Sequence, residues 1–349
     1  RVEVGAIHLH FVKTAELKDV FVEDNNHDTL VYANTIRVDL SNFDYEKKTL
    51  NIDRALIKNT TVKIVRYKST DKFNFEHLAD YFASSDTTTS GPSPWKIKYG
   101  TLIVDNVDFT YRNERHNTEV RDYMNYNNIH VKHVSGEFSE IKIIDETFFA
   151  RIKDLYAEEQ SGVVLKKLTT QAKVGPQSLI CKALTLETPE SKVQGSLAFQ
   201  YKNWRAYQEF IDSVKISGML VDGTQVNFND IAFFAKELKG LNKTLKVNGK
   251  IEGYVKDFKT QSLYLSFGDH TVFAGDLALK GLPDVRNTYF NLEAQHLSTS
   301  KSDLEKIPMY PFSNNETLKL PVEVARLGTV DYSGKLEGYF YDFISKGTF

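Results

Sequence analysis

Gly249-Lys-Ile-Glu-Gly-Tyr-Val-Lys-Asp-Phe258 returns downstream as Gly334-Lys-Leu-Glu-Gly-Tyr-Phe-Tyr-Asp-Phe343, with changes only at Ile251/Leu336, Val255/Phe340 and Lys256/Tyr341. Read with period two, Val247, Gly249, Ile251, Gly253 and Val255 fall on one face of a strand. Lys246, Asn248, Lys250, Glu252, Tyr254 and Lys256 fall on the other. The apolar face alternates small with large residues, so another backbone or a ligand can come close at the glycines. A unit repeated this closely predicts an array that buries its apolar face by stacking copies.

Working outward, the same grammar recurs. Ile7/Leu9/Phe11, Val20/Val22, Ile36/Val38/Leu40, Leu50/Ile52 and Val62/Ile64 alternate with polar residues. Turn-forming clusters at Asp24–Asp28 and Asn42–Asp44 separate them. These predict hairpins and a meander over residues 1–68. Between Leu102/Val104 and Val107/Phe109/Tyr111 the apolar set moves from even to odd positions, which predicts a turn or bulge at Asp105-Asn106. The polar run from Asn113 to Asn128 reads as a loop. Strands follow through Gly175, and two more flank a turn at Pro189. Leu263/Leu265/Phe267, Phe273/Gly275/Leu277/Leu279 and Phe290/Leu292/Ala294 are three strands in succession, and strands resume from Leu318.

Helical spacing is confined to short stretches. Phe75, Leu78, Ala79 and Phe82 form one, within residues 71–84. Trp204 to Val214, Asn229 to Leu238 and Ser302 to Ile307 form three more, with Gly240 a stop for the Asn229–Leu238 stretch and Pro308 ending the last. Glu76, His77 and Asp80 on the first disfavour a membrane surface, where lysine and arginine are usual. Residues 84–94, rich in Ser, Thr, Gly and Pro, read as a linker that resets register. The expected architecture is therefore mostly β: an elongated, folded-over sheet with an apolar groove and few short helices. Three stretches share that groove. Residues 1–90 are a meander with a helix, residues 91–200 a β-repeat segment, and residues 201–349 a β-repeat segment with two short helices.

Composition narrows the function classes. Of 349 residues, 41% are hydrophobic and 12% aromatic, enough for extensive apolar burial and against global disorder. A net charge of −2 provides no basic footprint for nucleic acid. The single cysteine, Cys181, excludes internal disulfides and metal-thiolate clusters. No run approaches the roughly 18 apolar residues of a membrane span. Arg1 and Phe349 both fall in mid-pattern, which reads as a piece of a longer protein.

Ala15-Glu-Leu-Lys-Asp-Val-Phe-Val-Glu-Asp24, Asp28-Thr-Leu-Val-Tyr-Ala33 and Ile36-Arg-Val-Asp-Leu40 resemble the early repeats of TamB proteins of Bacteroidota. So do Phe73-Asn-Phe75, Pro94-Trp-Lys-Ile97, Phe234-Ala-Lys-Glu-Leu-Lys-Gly-Leu241, Gly281-Leu-Pro-Asp284 and Thr288-Tyr-Phe290. The resemblance spans nearly the whole chain, and each motif is largely strand-and-turn grammar. It implies membership of the AsmA-like group, and a folded-over sheet of the β-taco kind. It implies a periplasmic bridge that carries phospholipid between inner and outer membranes and serves outer-membrane biogenesis. An N-terminal inner-membrane anchor and an outer-membrane barrel of the BamA/TamA kind are implied as partners, with no catalytic residues and no cofactor.

The candidate lining for acyl chains is Val247, Ile251, Val255, Leu263, Leu265, Phe267, Leu277, Leu279, Phe290, Leu292, Leu336 and Phe340. Read from the residues alone, the same set fits a dry sandwich core; the resemblance favours the groove. A structural or protein-binding β-array is the alternative function. A β-helix enzyme acting on polysaccharide would need paired carboxylates in a cleft.

Other constellations read as structural. His8/His10 and His130/His133 lack a third ligand at metal spacing. Residues Glu23 to Asp28 lack the glycine and distal glutamate of a calcium loop. Asp145-Glu146 and Glu158-Glu159 read as solvated loop charges, and Cys181 as a packing residue. No nucleophile elbow, P-loop or dinucleotide fingerprint is present.

Overall fold

The computed structural model describes residues 1–10, 13–77, 96–282, 284, 287–309, 312, 316–320, 328–339 and 341–349. The chain is mostly β, with eighteen strands and a few short helical turns among the described residues. It divides into two units, Arg1–Thr169 and Thr170–Phe349.

The first unit holds β1 (Val2–His10), β2 (Thr14–Glu23), β3 (Thr29–Asp44) and β4 (Thr49–Arg66), then β5 (Lys96–Asn113), β6 (Asn128–Ile144) and β7 (Thr147–Glu159). β8 (Val164–Gly175) spans the division. β1 to β4 form the expected antiparallel meander. β5 then pairs with β4 in parallel, from Thr49↔Lys96 to Arg66↔Asn113, and antiparallel pairing resumes through β6 and β7. The parallel pair is a departure from the hairpin reading. The predicted linker and most of the predicted helix over residues 71–84 lie outside the described residues, and only Glu76 and His77 are seen as helical.

The strands are longer than the apolar periods imply, reaching 18 residues in β4 and β5, because the period changes without the strand ending. In β2, Leu17 and then Val20 face inward; in β4, Ile57 and then Thr60; in β5, Val104 and then Val107. The registers Leu17↔Ile36↔Ile57↔Val104 and Val20↔Ala33↔Thr60↔Val107 carry these rows across the sheet. At the level between them the backbone turns left-handed, at Asp19 (φ 50), Asn59 (φ 46), Asn106 (φ 55), His133 (φ 54) and Asp154 (φ 51). Short polar side chains tolerate this conformation better than others. An extra residue per strand bends the strand and increases its twist. Because neighbouring strands gain their extra residue at one level, β2 to β5 bend together and stay in register.

Hydrogen bonds between the bent residues hold the row. Asn34 Nδ2 donates to Asp19 Oδ1 at 3.1 Å. Asn106 Nδ2 donates to Asn59 Oδ1 at 2.9 Å, and the His133 ring nitrogen Nδ1 lies 3.0 Å from Asn106 Oδ1. The bulge expected at Asp105-Asn106 is thus one member of a row that crosses the unit.

The second unit holds β9 (Ser178–Glu187), β10 (Lys192–Gln200), β11 (Lys215–Leu220), β12 (Gln225–Asn227) and β13 (Thr244–Tyr254). It continues with β14 (Asp257–Phe267), β15 (Thr271–Lys280), β16 (Tyr289–Ser300), β17 (Thr329–Tyr339) and β18 (Asp342–Thr348). These strands pair antiparallel throughout, from β9 to β18. Helical turns at Trp204–Glu209, Phe210–Ser213, Phe228–Ala232, Lys236–Leu238 and Lys301–Leu304 fall where the sequence has helical spacing. From Leu318 the expected strand is not found: only an isolated bridge, Pro308↔Thr317, precedes β17 among the described residues.

The repeated decapeptide is a hairpin and not one strand. Gly253↔Phe258 and Tyr254↔Asp257 close a two-residue loop at Val255-Lys256; Gly338↔Phe343 and Tyr339↔Asp342 do the same downstream. Val255 therefore sits in a turn, which corrects its placement on the inner face of a strand.

This unit bends by a different chemistry. β14 gains its extra residue at Ser262 (φ 49), and β16 gains one in the register shift between Ala294 and Leu297. The facing strands carry glycine at that level: Gly249, Gly275 and Gly334, all with positive φ. A Cβ on Gly275 would lie 2.0 Å from the Glu293 carbonyl oxygen, so the bulged neighbour fits only against glycine. The buried Thr260 hydroxyl fills the gap in the ladder, accepting from Leu277 N–H at 3.0 Å and donating to Leu277 C=O at 3.2 Å.

Candidate functional site

Directly opposed residues of antiparallel strands point to the same side of a sheet, so the register sorts the second unit into rows. Nearest the bend runs Val247↔Leu265↔Phe273↔Leu297↔Tyr332. The next reads Ile251↔Thr260, then Leu277↔Leu292↔Leu336. The outermost reads Gly253↔Phe258↔Leu279↔Phe290↔Gly338↔Phe343. The Thr260–Leu277 hydrogen bonds join the two halves of the middle row, which puts Ile251 and Leu336 on one face.

Burial along these rows is graded. Leu263 (4% exposed), Phe273 (5%), Ala294 and Tyr332 form a buried cluster at the bend, and Val247, Leu265, Leu277, Leu292, Leu297 and Leu336, each only partly buried, pack against it. Ile251, Phe258, Phe267, Leu279 and Phe290 are half-buried. Phe343 on β18 is 53% exposed. A packed interior would leave such side chains almost no accessible surface. Here the apolar surface widens away from the bend.

Of the predicted lining, Val247, Ile251, Leu263, Leu265, Leu277, Leu279, Phe290, Leu292 and Leu336 share this face, and Phe267 continues it to the end of β14. Val255 does not, and Phe340 lies outside the described residues. Phe258, Phe273, Leu297, Tyr332 and Phe343 belong to the rows although the predicted lining omits them; of these, Phe273 is already in the periodic set with Leu277 and Leu279. Phe258 and Phe343 end the two copies of the decapeptide, so the repeat itself marks them. Leu297 is hidden in the sequence because the bulge after Ala294 shifts the period by one.

The opposite face is charged and ion-paired. Lys215 Nζ meets Glu252 Oε1 at 2.8 Å, and Lys335 Nζ meets Glu337 Oε2 at 2.6 Å. The Lys215 hydrogen bond lowers the pKa of Glu252, and the Lys335 hydrogen bond that of Glu337. Two faces of opposite character fix which side can receive apolar matter.

The remaining sequence candidates fall into structural roles. His8 and His10 stack at 6.3 Å on β1. No group of three His, Cys, Asp or Glu able to hold a metal exists among the described residues. Asp24 is buried and accepts from Asn26 N–H, Asp28 N–H, Tyr67 Oη and Asn74 Nδ2, so its oxygens serve the turn. Glu159 caps its own turn through Ser161 N–H at 2.7 Å. Burial pushes the Cys181 thiol pKa up, which suits packing. No helix among the described residues is long and apolar enough to cross a membrane. Comparison with family models, with curated proteins and with solved structures returns no match for this chain.

Proposed function

We propose that the bent face of the second unit binds lipid acyl chains, as a segment of a bridge that moves phospholipid between two membranes. The observation that supports this reading most is the graded burial: three largely apolar rows in register across β13 to β17, the outermost reaching β18, whose apolar side chains are buried only at the bend. A chain of about sixteen carbons in water costs on the order of 13 kcal/mol, at roughly 0.8 kcal/mol per methylene. A half-open strip of Leu, Ile and Phe removes most of that cost while headgroups stay in solvent. The resemblance to TamB and AsmA-like proteins adds the setting: the periplasm, an inner-membrane anchor and an outer-membrane BamA/TamA-type barrel. No enzymatic step is part of this proposal.

The buried cluster of Leu263, Phe273, Ala294 and Tyr332 favours a second reading, a β-array with a dry core that binds protein on its outside. Mass spectrometry of the chain extracted under native conditions separates the two. Stoichiometric phospholipid supports the groove; lipid-free protein that also takes up no labelled phospholipid from vesicles rejects it.

A further inference from the structure

The charged outer face of the second unit carries one row that is not simply ion-paired. Tyr254↔Asp257↔Lys280↔Tyr289↔Tyr339↔Asp342 are consecutive register partners across β13 to β18. At about 4.8 Å per strand the row extends roughly 24 Å. Its rings stand out of the sheet: Tyr254 is 37% exposed, Tyr289 36% and Tyr339 40%. Tyr289 and Tyr339 meet edge to face at 5.6 Å, and Tyr339 stacks on Tyr341 at 6.1 Å. A cavity of about 350 Å³ opens beside Tyr254, walled in part by Lys215, Lys259 and Gln261.

We propose that this row is a binding strip for a linear, uncharged oligosaccharide. A pyranose ring is amphipathic, with a C–H face that packs on an aromatic ring and a rim of hydroxyls that needs donors and acceptors. The row supplies both requirements: phenol rings as platforms, and the exposed Asp257, Lys280 and Asp342 within reach of a rim. One lysine between two aspartates sets no strong field, which fits an uncharged ligand. The strip lies on the face opposite the apolar rows and stands whether or not those rows take lipid.

Isothermal titration of the 349-residue chain with cellohexaose and with maltohexaose tests this. At least one should bind with a Kd on the order of 1 mM or tighter. The Tyr289→Ala/Tyr339→Ala double variant should weaken binding at least tenfold, and the Tyr289→Phe/Tyr339→Phe variant should stay close to wild type. Tyr254→Ala provides a second reading should the double variant melt early. Equal affinity in wild type and alanine variants overturns the proposal, as does failure of both sugars to bind. Loss of binding to phosphatidylcholine/phosphatidylglycerol vesicles in the alanine variants, with no sugar binding, would assign the row to a membrane surface and also overturn it.

Discussion

Gly275 and Gly328 both have positive φ, yet their surroundings differ. Gly275 (φ 155) faces the Glu293 carbonyl, whereas a methyl group on Gly328 (φ 70) would meet no described atom within 4 Å. Gly275→Ala should therefore cost several kcal/mol or prevent folding, whereas Gly328→Ala should cost only about 1 kcal/mol of backbone strain. Thermal melts of the two variants check the difference. Asp303 is the other residue on which much depends. It is fully buried and accepts from the N–H groups of Asp269, His270 and Thr271, holding the β14–β15 hairpin. Burial pushes its pKa up, but these hydrogen bonds outweigh burial and bring it down to about 2. The folded pKa lies below the unfolded value of about 3.9. Its stabilising contribution is thus present above that value and lost as pH falls through about 2. Asp303→Ala should cost about 3 kcal/mol at neutral pH. The difference in melting temperature between wild type and Asp303→Ala should shrink on acidification below pH of about 4.

At the scale of the element, the two units bend by different means. In the first, Asn, Asp and His133 hold the left-handed positions and bond to one another along the row. In the second, bulged strands alternate with strands that carry glycine. Asn106→Gly keeps the backbone but loses the bonds to Asn59 and His133, so it should cost no more than about 1 kcal/mol. Asn106→Val forces a β-branched residue into φ 55 and should cost about 2 kcal/mol or more. Urea denaturation of both variants decides this; equal stability would mean that the row does not depend on left-handed tolerance. The Asp105-Asn106 bulge is legible in the sequence because the apolar set changes parity there. The companion bends at Asp19 and Asn59 are not, because the clusters around them read equally as strand ends.

At the scale of the whole molecule, the groove reading separates two substitutions of the same kind. Leu263→Asp places a carboxylate in the buried cluster and should destabilise by several kcal/mol. Leu279→Asp lies in the outermost row, half-buried, and should cost about 1 kcal/mol while reducing bound phospholipid. If Leu279→Asp melts as early as Leu263→Asp, the outer rows are packed and dry. If it melts normally and carries wild-type lipid, the rows do not hold acyl chains.

The sequence by itself determined the β class, the inward-facing set on most strands of the second unit, and the short helical turns. These follow from local periodicity, which a chain carries in its own side chains. Only the tertiary structure decided that the decapeptide turns back on itself at Val255-Lys256, since a two-residue loop without glycine or asparagine leaves no local mark. Only it decided that β4 and β5 run parallel, because a pairing between distant strands is set by what lies between them and not by either strand. The bends were likewise beyond a single-strand reading. An extra residue shows as a change of parity in one strand, but a crease exists only when the neighbours accept it at the same level, by Asn, Asp and His133 in one unit and by glycine in the other.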